Sequence, residues 1–502
     1  MTLNIEEVIA PLAATHKSGK NQTLKWRLDQ LNSLLLMINE RQEEFIEAIQ
    51  KDLHKERTEC NYAEIMLVKH EIKKFKKELK GWMEPTLVSY PGAIAPSSCE
   101  VRSVPLSGPA CLVIAPFNYP FCLSLLAAVG AFGGGNPCVL KPSELCPSVS
   151  GLFAKLVPRY FEKGAFQVVE GGIEETTVLM EQHWGMVHFT GSVRVGKIIQ
   201  SLAAKTLSPT VLELGGKSPT IIAEDCPDDM AVVCNRLMAG KLMNCGQTCV
   251  APDFVLCHRS KLQSFCKEAA SSIERLFGKD AKASSSELPR IVHETHAQRL
   301  IDLIVEIEKE DAAKVIFGGS KNCDATQKYV APTLVLDPSR DSKLLKEEIF
   351  GPILPIIPYD IEDEAIDRIL EVDGTPLALY VFTKSKERYE KFMSRIPSGS
   401  SMRNEAILQF IVADFPFGGI GTSGIGSYLG KASFDTFTHK RTSLYHPCHS
   451  LFEYGGLRYH PHGTGSGMRG KILLFLLQYT PDIPTFSRSK LCFFAAMLIY
   501  LF

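Results

Sequence analysis

The chain has 502 residues, 45% hydrophobic and 22% charged, an ordinary globular composition too long for one core, so two or three domains are expected. Its 55 Lys and Arg balance 56 Asp and Glu to a net charge of −1, which supplies no field to gather nucleic acid or an anionic membrane. Fifteen cysteines without a Cys-x-x-Cys argue against a disulfide scaffold or a zinc ribbon, and for free thiols in a reducing, intracellular compartment.

Taken in order, the N-terminus carries Glu6 and Glu7 among short apolar pieces and does not read as a secretory signal. Residues 20–53 place Leu24, Leu28, Leu31, Leu35, Ile38, Phe45 and Ile49 at three- and four-residue steps, which predicts one amphipathic helix with a break near Asn39. A second helix is expected over 62–80, where the basic run Lys73, Lys74, Lys76 and Lys77 is interleaved with acids as a solvated face. Five prolines between residues 84 and 109 predict extended chain, in the form of a hairpin arm. From 110 to 207 strands at 111–115, 138–140, 166–169 and 187–189 alternate with helices at 121–132, 148–160 and 195–207. That alternation predicts an α/β fold with a parallel sheet, whose ligands gather at the strand C-terminal ends. A second set of strands and helices is expected from Thr210 to about Gly399, with helices at 261–277 and 296–309 and a surface loop at 284–286. The stretch 433–438 alternates aromatic and polar residues and reads as a strand.

The chemistry concentrates in a few stretches. Cys249 lies in Asn244-Cys245-Gly246-Gln247-Thr248-Cys249-Val250-Ala251-Pro252. Glu213 lies on an apolar strand, Val211-Leu212-Glu213-Leu214, that runs into Gly215-Gly216-Lys217. Glu348 lies in Glu347-Glu348-Ile349-Phe350-Gly351-Pro352. A thiol and two carboxylates so distributed suit thioester chemistry beside a bound cofactor. Between residues 110 and 207 no Gly-x-Gly-x-x-Gly fingerprint follows a strand. In its place Phe189-Thr190-Gly191-Ser192 and Gly196 open a helix, whose free N–H groups favour a phosphate.

These segments together resemble the aldehyde dehydrogenase superfamily over residues 10–445, and the Gly246-to-Asp253 wording is similar to its class 3 branch, which includes fatty aldehyde dehydrogenases. The resemblance implies a Rossmann-like NAD-binding domain (residues 1–83 and 103–209), an α/β catalytic domain (210–400) and a bridging β arm (84–102 and 401–446) that builds a homodimer. It implies Cys249 as nucleophile, the Asn118 side-chain amide of Phe117-Asn118-Tyr119-Pro120 as oxyanion donor, and Glu213 as the base that activates water. Cofactor contacts are implied at Lys141 and Glu144 (adenosine ribose), Gly191, Ser192 and Gly196 (phosphates), Gly215, and Glu348 with Phe350 (nicotinamide ribose). The expected cofactor is NAD, since Glu144 would repel a 2′-phosphate, with NADP as a second, because class 3 relatives use both. Phe117 stands where relatives often carry Trp, a change in the wall of the substrate funnel; Cys245 is read as a spare buried thiol, with a disulfide to the nucleophile under oxidation as the alternative; and the Ser400–Arg403 stretch replaces a more glycine-rich one in the substrate wall. No metal is expected, and His460 and His462 are read as exposed residues of a variable tail.

Two rival functions remain at this stage: a coenzyme-A-acylating dehydrogenase, which does not need Glu213, and a catalytically silent protein on the same fold. Beyond residue 446 the chain carries apolar pieces at 472–477 and 491–502. Twelve residues span only about 18 Å as a helix, and Pro481, Asp482, Pro484, Arg488 and Lys490 separate the two pieces. A transmembrane helix is therefore not expected. Either the tail packs on the enzyme's own surface or, the preferred expectation, it lies in the interface of an intracellular membrane with basic residues at the headgroups.

Overall fold

The computed structural model describes residues 3–91, 94–278, 287–310, 313–450, 459, 467–479 and 482–483. The chain divides into two compact units, Met1–Glu78 with Leu106–Phe437, and Leu79–Pro105 with Thr438–Phe502.

The larger unit holds two sheets. In the first, the strand order is Gly424–Ile425, Thr210–Leu214, Met186–Gly191, Cys111–Ile114, Cys138–Lys141, Phe166–Val168. All neighbours are parallel except the Gly424–Ile425 edge, which pairs antiparallel with Glu213 and Leu212. The second sheet runs Lys314–Phe317, Thr333–Leu336, Ile353–Tyr359, Phe254–His258, Pro219–Ile222, Ala378–Phe382, Ser400–Arg403, parallel except at its first pair. Near-continuous apolar strands such as Cys111–Ile114 and Ala378–Phe382 are buried throughout, as a sheet covered on both faces requires. The Thr210–Leu214 strand belongs to the first sheet, between Met186–Gly191 and the Gly424–Ile425 edge, and does not open the second, as its place in the sequence suggested. The chain crosses to the second sheet through 215–218, so Glu213 and Gly215 stand at the passage between them.

The long helix is Leu24–Leu53, interrupted at Arg41 (φ −121°, ψ 15°), two residues beyond the expected break. The next is Met66–Trp82, entered through one π-helical turn at Asn61–Ile65. A helix at Ile173–Met180 escaped the sequence pattern, because only Leu179 and Met180 are buried and no apolar stripe develops.

The expected strand at 433–438 is instead the helix Gly430–Thr436. Phe434 and Phe437 are both buried and three residues apart, which is one helical face and not one strand face. Gly130 makes room for this packing: a Cβ there would fall 2.7 Å from the Phe437 ring.

In the smaller unit the arm forms a three-stranded antiparallel sheet, Thr86–Leu87, Ser98–Val104 and His439–Tyr445. The strand that pairs with the arm is thus His439–Tyr445. Its tail contains the helix Met468–Tyr479, with Leu474 65% and Phe475 61% exposed, and a short strand Asp482–Ile483 paired with Tyr90–Pro91. No helix among the described residues is long and apolar enough to cross a membrane. The loop at 284–286, His460, His462 and the terminal piece 491–502 lie outside the described residues.

Candidate active site

Cys249 sits in a loop between the helix Met230–Leu242 and the strand Phe254–His258. Asn244, Cys245 and Gly246 approach it with φ of 51°, 56° and 77°, a left-handed run costing about 1–2 kcal/mol at a residue with a β-carbon. Gly246 has a second reason to be glycine, since a Cβ would lie 2.3 Å from the Gly351 carbonyl. The loop is held by Gln247, whose side chain donates to the carbonyls of Asn244 (3.1 Å) and Arg290 (3.0 Å) and accepts from Val292 N–H (2.9 Å). Below, Tyr380 donates to the Val250 carbonyl at 2.6 Å and Tyr119 shares a 2.8 Å hydrogen bond with Thr248. The strained conformation is over-determined by these bonds.

Burial pushes the Cys249 thiol up to about 12, reinforced by the charges of Glu348 and Glu213 and opposed by the Cys249 and Val250 backbone N–H groups. Glu213 is 3% exposed, and neither of its oxygens has a partner among the described residues. Burial alone raises its pKa well above the carboxylate range. Asn118, also 3% exposed, donates from Nδ2 to the Gln247 carbonyl at 3.0 Å. That uses one of its two amide hydrogens and leaves the other.

Cys249 packs against an apolar cluster, Val250, Leu377, Ala378, Tyr380, Ala406 and Ile407, together with the partly buried Met243, Met402, Phe410 and Phe417. Met402 comes from the Ser400–Arg403 strand, so the glycine-poor stretch contributes a side chain to this cluster. Cys245 is fully buried, and burial pushes its thiol up to about 12.

On the cofactor side, Glu348 faces Gly215. A Cβ at Gly215 would lie 2.1 Å from the Glu348 carboxylate, and Gly216 N–H supports that carboxylate. Burial and the neighbouring Asp253 raise Glu348 to about 8. Its loop is anchored by Lys217, which is ion-paired with Asp253 and donates to the carbonyls of Leu344 (2.7 Å) and Glu347 (2.8 Å). Phe350 (φ 51°) meets Phe117 edge-on at 5.8 Å, and Phe117 meets His296 at 5.9 Å. Phe117 therefore lies next to Phe350 on this side.

Lys141, buried at the end of its strand, pairs with Glu144 at 2.6 Å, and Glu144 remains about half exposed (49%). Gly191 ends the strand Met186–Gly191, and the Ser192 hydroxyl caps the helix Val193–Thr206 by accepting from Val195 N–H at 3.4 Å. Gly196 also has a packing role, since a Cβ there would fall 2.5 Å from Leu214. The site thus brings together Cys249, Glu213, Asn118, Gly215, Glu348 and Phe350 from segments up to 232 residues apart. A group of residues escaped sequence reasoning: Lys55, Glu59 and Glu64, buried behind Asn118 and Asn244. Lys55 lies in the connection between the helices Leu24–Leu53 and Arg57–Cys60, Glu59 and Glu64 lie in the helical turns that follow, and charges so placed carry no local sign of where they fold. Among the described residues there is no cluster of metal-ligating side chains.

A doubly covered parallel sheet, with a helix N-terminus at the C-terminal end of one of its strands and a half-buried thiol and a buried carboxylate near the crossing to a second α/β sheet, defines a dinucleotide-dependent dehydrogenase. The chain belongs to the aldehyde dehydrogenase family, whose model matches residues 3–443. It is 38% identical to aldehyde dehydrogenase family 3 member H1 of Arabidopsis thaliana, over 91% of this chain and 92% of that one. It is also 38% identical to the dimeric, NADP-preferring aldehyde dehydrogenase of Canis lupus familiaris, over 88% and 95%. The solved AldH of Staphylococcus aureus superposes with a TM-score of 0.87 at 33% identity, covering 95% of this chain and all of that one. The protein is an enzyme that oxidises aldehydes with NAD(P), in the class 3 branch.

Proposed function

We propose that this enzyme oxidises medium- to long-chain aliphatic aldehydes to carboxylic acids, with Cys249 as nucleophile, Asn118 as oxyanion donor and Glu213 as base. The partly buried apolar side chains that pack with Cys249, Met243, Met402, Phe410 and Phe417, support the substrate assignment, because each methylene buried on such side chains is worth about 0.8 kcal/mol.

Cys249 loses its thiol proton to solvent water and attacks the carbonyl carbon as a thiolate, and the second amide hydrogen of Asn118, with the Cys249 N–H, holds the oxygen that becomes negative. Lys141, Glu144, Gly191, Ser192, Gly215, Glu348 and Phe350 would hold the dinucleotide, and the fit at Gly215, where a side chain would strike Glu348, supports this. When bound, the nicotinamide supplies the two-electron acceptor. Glu213 then takes a proton from water, which hydrolyses the thioacyl-enzyme and frees Cys249. This need for a buried base favours hydrolysis over transfer to coenzyme A, and the unpartnered Glu213 carboxylate is a costly group for a silent protein to keep.

Two further parts of the reading concern assembly. The small arm sheet exposes Leu87, Leu444 and Tyr445, which supports a homodimer, as does the word dimeric in a relative's name. The exposed Leu474 and Phe475 of the tail helix support docking on an intracellular membrane, the source of a lipophilic aldehyde. The pairing of Asp482–Ile483 with Tyr90–Pro91 favours packing of the tail on the protein itself, so the two readings divide the tail between them.

The test is kcat/KM along a series of straight-chain aldehydes, followed by absorbance of the reduced nicotinamide. The specificity constant is expected to rise about fourfold per methylene over the first several carbons, which is 0.8 kcal/mol converted at 1.36 kcal/mol per decade. A flat or falling series refutes the aliphatic assignment.

A further inference from the structure

Behind Asn118, the proposed oxyanion donor, lies a buried ionic cluster. Lys55 and Glu64 are ion-paired at 2.5 Å, and both side chains are fully buried. Lys55 Nζ also donates to the Asn118 carbonyl at 2.8 Å and lies 4.0 Å above the Tyr119 ring. The second oxygen of Glu64 accepts from Phe121 N–H (3.2 Å) and Cys122 N–H (2.9 Å), at the start of the helix Cys122–Gly134. The loop 118–122 is thus fixed at its first carbonyl by the ammonium and at its last amides by the carboxylate.

The Asn118 carbonyl has a second donor, Asn244 Nδ2 at 2.7 Å, and the same amide also donates to the Gln247 carbonyl at 3.1 Å. The Gln247 carbonyl is the group that orients the Asn118 side chain. Glu59 completes the ring by accepting from Asn244 N–H at 2.9 Å. Asn244 therefore bridges the oxyanion loop to the nucleophile loop, and Lys55 locks the carbonyl on which the bridge rests. A buried ion pair is a poor device for stability alone, since desolvation offsets most of its attraction. It is well suited to holding one geometry.

We propose that Lys55, acting with Asn244, is a positioning residue that sets the Asn118 amide at the distance from Cys249 that the oxyanion requires. Displacement of a reacting group by about 1 Å costs on the order of a hundredfold in rate. The proposal rests on Asn118 being the oxyanion donor, and Asn118→Ala alone tests that assignment, with a loss of about a hundred- to a thousandfold expected.

The decisive experiment measures three readouts in Lys55→Met/Glu64→Gln, where both charges are removed so that neither is left buried alone, and in Asn244→Gly, which tolerates the left-handed backbone while deleting the bridge. In both variants kcat is expected to fall about ten- to a hundredfold, with KM for aldehyde and dinucleotide changed by no more than about twofold. Alkylation of Cys249 by iodoacetamide, which forms no oxyanion, keeps its wild-type rate. In an Asn118→Ala background each variant adds no further loss, because its effect passes through the missing amide. Wild-type kcat in the variants, losses that multiply with Asn118→Ala, or an equal fall in alkylation each overturn the proposal. Should the charge-free pair not fold, Asn244→Gly decides by the same criteria. If Asn118→Ala itself retains full activity, the donor assignment falls, an outcome distinct from a failure of Lys55 alone.

Discussion

Glu213→Gln removes the base while preserving the shape of its strand. The carboxylate is 3% exposed with no partner on either oxygen, so glutamine displaces no hydrogen bond and fills the same volume. A positioned base contributes about 10²–10⁴ in rate, or ~3–5 kcal/mol of barrier at 1.36 kcal/mol per decade. Acylation does not depend on that base, so rapid mixing with NAD and an aldehyde is expected to give a burst of about one reduced cofactor per subunit, then a steady state slower by that factor. Stability moves the other way. Burial raises the Glu213 pKa above its unfolded value of 4.5, so between 4.5 and the folded value the native chain holds a proton that the unfolded chain has released. Native stability therefore falls as pH rises through that window, and Glu213→Gln abolishes the fall. The variant should melt above wild type at neutral pH and level with it near pH 4. A wild-type steady state, or loss of the burst, refutes the division of labour; a lower melting temperature at neutral pH refutes the account of burial.

The remaining predictions concern cofactor and tail. Gly215→Ala would drive a methyl into the Glu348 carboxylate, 2.1 Å away; because the struck group is the end of a side chain, KM for the dinucleotide should rise about tenfold or more with little change in melting temperature. Glu144→Gln, at the half-exposed partner of Lys141, should raise the NADP-to-NAD ratio of kcat/KM about tenfold by removing a repulsive charge and weakening ribose hydrogen bonds; an unchanged ratio sinks that assignment. Truncation after Met468 should abolish co-sedimentation with anionic lipid vesicles while preserving activity on short aldehydes. Full-length protein that does not sediment with vesicles leaves only packing of the tail on the protein's own surface.

Local pattern sufficed for much of the fold and for the chemical groups. The 3.6-residue period over 24–53 and the alternation from 110 to 207 are properties of neighbouring residues, and both emerged as helix and parallel sheet. The thiol of Cys249 and the carboxylates of Glu213 and Glu348 were legible because a nucleophile loop and an apolar strand bearing one acid have distinct local wording. What escaped depends on contacts across the chain. Whether 433–438 is helix or strand is settled by its packing beneath Gly130, three hundred residues earlier, and the Glu213 strand belongs to the first sheet through its register with Met186–Gly191. The Lys55–Glu64 pair is the sharpest instance. In sequence they are two charges among many, one in a connection and one in a helical turn; only folding removes them from water and sets Lys55 against the Asn118 carbonyl. The kind of chemistry is thus carried by residue types and spacing, whereas the position of each donor, and the burial that shifts Glu213 and Cys249, exist only once distant segments exclude solvent together.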